Sequence, residues 1–223
     1  MRGTMAIESA STLDDLRHEA ASCRARPLWK GATQTVFGEG PVDPDIMFVG
    51  EQAGDRDDLA GRPFVGPAGQ LFDRALVQAG LDRAEVYVTN AVKHFKFEPR
   101  GKRRLHKRPN AAEISVCKRW LLGEIEAVRP RLVVALGATA AQSLAGRPVG
   151  VRANRGAILH PESGMKIFVT IHPSSLLRLR DETDRKAAFD RFVRDLQSTK
   201  QLGQIPGARA GCETKKGSAG GND

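Results

Sequence analysis

Apolar residues gather into four short, nearly continuous runs, at 46–49, 86–89, 132–136 and 167–171. Around them, helical apolar patterns run over 12–25, 69–79, 112–128, 138–145 and 186–196. Continuous runs alternating with amphipathic helices predict strands buried on both faces, that is, a parallel sheet covered above and below. Gly80 suits the end of one helix, and Pro130 stops another. From about Ser198 the chain turns Gly-rich and polar, with little to bury. The pattern therefore predicts one ordered unit over 1–197 and a disordered tail over 198–223.

Each apolar run leads into a polar cluster. GEQAGD follows the first, NAVKHFKF the second, GATAA the third and HPSSLLR the fourth. Open parallel sheets bind ligands at the carboxyl ends of their strands, so the chemistry is expected along one edge.

Composition narrows the class. Of 223 residues, 40% are hydrophobic and 27% charged, ordinary for a globular protein. No apolar run approaches the roughly 20 residues that span a bilayer. The first residues lack the apolar core of a secretory signal, so the expected location is the cytoplasm, with the nucleoid. Net charge is +9, and its placement says more than its total. Eight basic residues and one acid lie between Lys93 and Arg108, a concentration suited to a polyanion. Cys23, Cys117 and Cys212 make no disulfide framework.

The clusters contain chemistry that each has a plainer reading. Gly50 and Gly54 let backbone approach a ligand between the carboxylates of Glu51 and Asp55, or form an ordinary strand-to-helix turn. Phe64, in a Gly/Pro-rich loop, is a base-stacking ring or a loop anchor. Asn90, at the predicted end of the second strand, presents a donor and an acceptor matching the N3–H and O4 edge of uracil, or forms a turn. His172 can donate to charge developing on a leaving group, and Ser174, Ser175 and Arg178 behind it suit phosphates. In the loop 101–109, His106 sits among basic residues that favour its neutral, nucleophilic form, or is one more polar residue of a solvated phosphate-binding loop.

Taken together, GEQAGDRDDLAGRPFVGPAG (50–69), YVTNAVKHFKF (87–97), GKRRLHKRP (101–109) and HPSSLLR (172–178) resemble the uracil-DNA glycosylase superfamily. The resemblance spans about 13–196, is close to family 4 and is closest to the UdgX branch. It implies an α/β fold, a three-layer α/β/α sandwich on a central four-stranded parallel sheet, and excision of uracil from DNA in base excision repair. Phe64 would stack on the flipped base and Asn90 read its edge. Gln52, through its backbone, and Asp55 would line the pocket. His172 would stabilise the departing uracil anion, and Lys102, Arg103, Arg104 and Lys107 would contact DNA together with Ser174, Ser175 and Arg178. In the UdgX branch the histidine of the KRRxH loop becomes attached to the abasic sugar; here that residue is His106, with Glu51 stabilising the sugar cation and orienting or accepting a proton from the ring.

The same resemblance implies a structural [4Fe–4S] cluster. Cys23, His94 and Cys117 stand at ligand positions, but the expected second cysteine of a Cys-x-x-Cys pair is Arg26. Three candidates where four ligands are wanted leave the cluster either incomplete or lost. The expected partner is uracil-containing DNA, single-stranded favoured, acted on by a monomer. Competing readings are a turnover glycosylase that releases an abasic site, and a basic module that binds such DNA without chemistry; a nucleotide- or RNA-binding domain explains the basic loop but not the pocket residues.

Overall fold

A computed structural model describes residues 12–25, 27–161 and 164–204. Thr12 and Asp15 each donate a backbone N–H to the other's side-chain oxygen in a capping box that starts α1 (Leu13–Ala21). The short α2 (Leu28–Gly31) leads to β1 (Ile46–Gln52), α3 (Asp55–Ala60) and α4 (Pro67–Ala79), the last closed by left-handed Gly80 as its sequence suggested. Next come β2 (Tyr87–Val92), a hairpin of β3 (Phe97–Arg100) and β4 (Arg103–His106), and α5 (Ala111–Val128). The chain continues through β5 (Leu132–Leu136), α6 (Ala138–Ala145), α7 (Val151–Asn154), β6 (Ile158–Leu159), β7 (Ile167–Thr170) and α8 (Glu182–Gln204).

The main sheet has the order β2-β1-β5-β7-β6, and its first four strands are parallel. Alternation along β1 explains the continuous apolar run. Ile46 and Phe48 join Phe72, Leu76, Phe192 and Leu196 under α4 and α8. Met47 and Val49 point the other way, into a second core with Leu121, Ile125, Ala140 and Ala141 under α5 and α6. Both faces are covered, which gives the three-layer α/β/α sandwich.

Three expectations need correction. The sheet has five strands, not four: Ile158–Leu159 adds an antiparallel edge strand on β7, too short to leave a periodic signal. Strands β1 and β2 run beyond their apolar segments, so Glu51 and Gln52 lie within β1 rather than after it, and Asn90 lies inside β2 rather than at its end. Helix α8 continues to Gln204, into the segment expected as tail. There Thr199 is fully buried and Gly203 packs on Asp45 and Ile46, contacts that polar and small residues hide from a hydrophobic pattern. The remaining tail, 205–223, lies outside the described residues. Among those that are described, no helix is long and apolar enough to cross a membrane.

Candidate active site

The carboxyl ends of the parallel strands open into a cleft of about 1030 Å³, lined by Glu51, Phe64, Asn90, His106 and His172, with Leu177 and Arg178 at its border. Four separate sequence clusters thus converge on one edge of the sheet.

One part of the cleft is framed by Gly50, Phe64 and Asn90. Gly50 and Asn90 are register partners on β1 and β2. A Cβ on Gly50 would lie 2.3 Å from Asn90 Oδ1 and 2.7 Å from Phe64 Cζ, so only glycine lets these two side chains approach each other. Asn90 is buried, and its Nδ2 has no hydrogen-bond partner. A buried amide left unpaired costs free energy unless a ligand satisfies it. Phe64 is held with φ at 60°, a left-handed conformation unusual for a side chain of this bulk. Asp57 fixes that turn by accepting from Val65 N–H at 2.9 Å and Gly66 N–H at 3.0 Å, while its other oxygen takes Gly54 N–H at 3.0 Å. The phenyl ring rests on Phe72 and lies 5.9 Å from the His172 ring.

Two histidines and a carboxylate occupy the other part. His172 Nδ1 accepts the backbone N–H of Ser174 at 3.2 Å, so the neutral ring carries its hydrogen on Nε2, ready to donate. Burial pushes its pKa down to about 4, against the pull of Glu51 and with help from the charges of His106 and Arg178. His106, half-exposed at the end of β4, places Nε2 3.3 Å from Glu51 Oε1. Thr139 Oγ1 donates to the other oxygen, Oε2, at 2.5 Å, and Arg108 Nε stands 3.8 Å from it. Burial alone would raise the Glu51 pKa, but hydrogen bonds to His106 and Thr139 and the nearby histidine charges hold it below the usual carboxylate value. The cleft therefore offers an anion beside an imidazole, with a separate neutral donor opposite.

The hairpin that carries His106 is pinned from beneath. The Gln52 side chain donates to the carbonyls of Lys96 and Lys107 and accepts the Lys96 N–H at 3.1 Å, joining both ends of the hairpin. Arg104 lies against the rings of Phe95 and Phe97 and binds Asp55 and Asp58 at 2.6 Å each. These contacts add to the expected roles. Gln52 lines the cleft and also holds the hairpin through its side chain. Asp55 lines the cleft with its carboxylate engaged by Arg104. Arg104, expected to contact DNA, faces inward here, its guanidinium held by Asp55 and Asp58. Lys93, counted in the basic run, is buried in an ion pair with Glu124 and donates to Thr89 and to the Asn90 carbonyl. Lys96 pairs with Glu113 at 2.7 Å. Arg100, Lys102 and Arg103 remain on the surface, as does Lys107, 3.5 Å from Glu98. Ser174 Oγ lies 2.9 Å from His172 Nδ1 and 3.3 Å from Arg178, and Ser175 Oγ donates to the His172 carbonyl.

The sequence profile of the Uracil DNA glycosylase superfamily matches residues 37–197, most of the chain. The protein belongs to that superfamily. Relatives named Type-4 uracil-DNA glycosylase include one from Thermotoga maritima, 39% identical over 75% of this chain and 84% of its own length. Others come from Archaeoglobus fulgidus, 35% identical over 77% of this chain and 87% of the relative, and from Pyrobaculum aerophilum, 35% identical over 81% and 97% respectively.

Against the cluster that resemblance implies for this superfamily member, the described residues do not fit. Cys117 is buried and its thiol pKa is raised, chiefly by burial and also by neighbouring Cys23. His94 Nε2 lies 3.1 Å from Thr35 Oγ1. No group of three or more His, Cys, Asp or Glu able to hold a metal forms among the described residues. Arg26 and Cys212 lie outside them. Site residues that the sequence did not single out are Asp57, Asp58 and Thr139. Each is a small polar residue whose role depends on a partner distant in sequence, so local pattern carries no signal for it. Leu177, exposed at the border of the cleft, was likewise masked inside HPSSLLR as an ordinary apolar residue.

Proposed function

We propose that this protein is a uracil-DNA glycosylase of base excision repair that captures its own product, as in the UdgX branch it resembles. The observation that carries the reading is His106 set 3.3 Å from Glu51 in the same cleft as Asn90, Phe64 and His172. The flipped uracil stacks on Phe64 while the unpaired Asn90 amide reads its edge. Leu177 fills the gap the base leaves in the stack. The C1′–N1 bond breaks with its electron pair leaving on uracil, and His172 Nε2–H stabilises the anion. The sugar becomes an oxocarbenium ion, stabilised by Glu51. A lone pair of His106 then attacks C1′ and forms a C–N bond. The resulting imidazolium is stabilised by Glu51, and its proton is passed on, so uracil departs neutral and the adduct is neutral. Lys102, Arg103, Lys107 and Arg178 hold backbone phosphates, and a single copy of the chain suffices, with single strands favoured because their bases flip at lower cost.

The test is a denaturing gel of the protein mixed with labelled single-stranded DNA containing one uracil. A slow band resistant to heat and detergent, absent with thymine DNA and absent for His106→Ser, is the expected result. Alkali-labile abasic DNA without that band from the unaltered protein overturns covalent capture and leaves a turnover glycosylase. Neither product overturns the glycosylase reading in favour of a binding module.

A further inference from the structure

Next to the cleft, and sharing Val151 and Ile171 with it, lies a second concavity of about 490 Å³. Four arginines line it: Arg152 from α7, Arg155 just after that helix, and Arg191 and Arg194 from α8. Asp195 is the one acid among its described lining residues, and its carboxylate is already engaged. It pairs with Arg155 Nε at 2.8 Å and accepts from Thr170 Oγ1. Arg155 keeps Nη2 without a partner. The side chains of Arg152, Arg191 and Arg194 make neither ion pairs nor hydrogen bonds among the described residues, although many of the chain's other arginines are paired with acids.

Three guanidinium groups without counter-charges in one hollow repel one another, an arrangement that a phosphate relieves. Position decides whose phosphate. Thr170, Ile171 and His172 are consecutive, so the residue bonded to Asp195, one of the two residues shared by both hollows and the proposed leaving-group donor form one short segment. A DNA strand running out of the cleft past Ile171 enters the arginine hollow without leaving the surface. Arg191 and Arg194 are three residues apart on one face of α8 and can grip one phosphodiester or two adjacent ones.

We propose that this arginine hollow is a phosphate subsite for the DNA strand beside the nucleotide being excised, anchoring that strand away from the reacting sugar. The assignment rests on the glycosylase reading above and extends the footprint beyond the basic hairpin. The contribution belongs to binding, not to bond breaking.

The test compares the full chain with an Arg152→Gln/Arg191→Gln/Arg194→Gln variant in equilibrium binding to fluorescent single-stranded DNA. The probes are a 15-residue strand carrying a 2′-fluorinated deoxyuridine, whose glycosidic bond resists cleavage, the same strand with thymine, and a trinucleotide with the fluorinated residue central. The expected result is about tenfold weaker binding of the long strand by the variant, with the slope of log affinity against log salt reduced by roughly 0.7 for each phosphate no longer held. The trinucleotide, lacking the distal phosphates, binds both proteins alike. Equal affinity of variant and unaltered protein for the long strand overturns the subsite. Inorganic phosphate binding the unaltered protein but not the variant, with no effect of strand length, overturns the DNA assignment in favour of a free-anion site. Failure of the glycosylase reading shows separately, as no preference of either protein for the fluorinated strand over thymine.

Discussion

His106 Nε2 and Glu51 Oε1 stand 3.3 Å apart, one at the end of a surface hairpin and the other near the end of a buried strand. The carboxylate is steered by Thr139 on its other oxygen, so the pair is held in one orientation. On the proposed chemistry, Glu51→Gln keeps the size and a hydrogen bond but removes the charge. Adduct formation, followed under single-turnover conditions, is expected to slow roughly a hundredfold. An unchanged rate overturns the dyad.

Arg103 and Arg104 are adjacent in sequence and opposite in consequence. Arg104→Ala leaves Asp58, fully buried, without its charged partner and frees the hairpin. A loss of roughly 3 kcal/mol of stability is expected, read as a lower urea midpoint. Arg103→Ala leaves stability within about 0.5 kcal/mol and lowers the salt dependence of DNA binding instead. The opposite assignment of effects would mean that Arg104 faces DNA after all.

Gly50→Ala adds one methyl group where Asn90 Oδ1 and the Phe64 ring already meet. The fold is expected to tolerate a small side chain in a strand, whereas the proposed base pocket is not. Uracil excision is expected to fall at least a hundredfold, a loss of about 3 kcal/mol in transition-state stabilisation, with circular dichroism unchanged. Wild-type excision by this variant rules out the Gly50–Asn90–Phe64 pocket as the uracil site.

Acid should weaken the fold through His172. Its ring binds a proton at about pH 4 in the folded protein, against 6.5 ordinarily. The unfolded chain therefore takes up the proton first as pH falls. The stability associated with the neutral, part-buried ring is complete above pH 6.5 and is lost as pH drops towards 4, by up to about 3 kcal/mol. Urea midpoints measured across that window should fall steeply, and less steeply in His172→Asn. A parallel decline in both proteins assigns the loss to other groups.

The layered fold was legible in the sequence because strands buried on both faces leave unbroken apolar runs such as 132–136, which matches β5 residue for residue. Likewise, 138–145 coincides with α6. Asn90, Phe64, Glu51, His106 and His172 were legible because each lies in a compact cluster at a strand end or in a loop beyond one. What stayed hidden depends on long-range pairing. As charges alone, Arg104 and Lys93 look identical to Arg103 and Lys102, and only the positions of Asp58 and Glu124 turn them inward. Strand β6 is too short to show a period, and the last turns of α8 bury Thr199 and Gly203 rather than an apolar stripe.

The clamp from Gln52 and the inward grip of Arg104 give the hairpin little freedom, which bears on a competition in the proposed reaction. Once the sugar cation forms, water and the imidazole would compete for C1′. A group fixed in attacking position behaves like a reactant at an effective concentration of about 10⁵ M or more, far above that of liquid water. On the proposed chemistry, capture then outruns hydrolysis. Each molecule would be consumed by the first uracil it removes, and the number of lesions processed would equal the number of copies present.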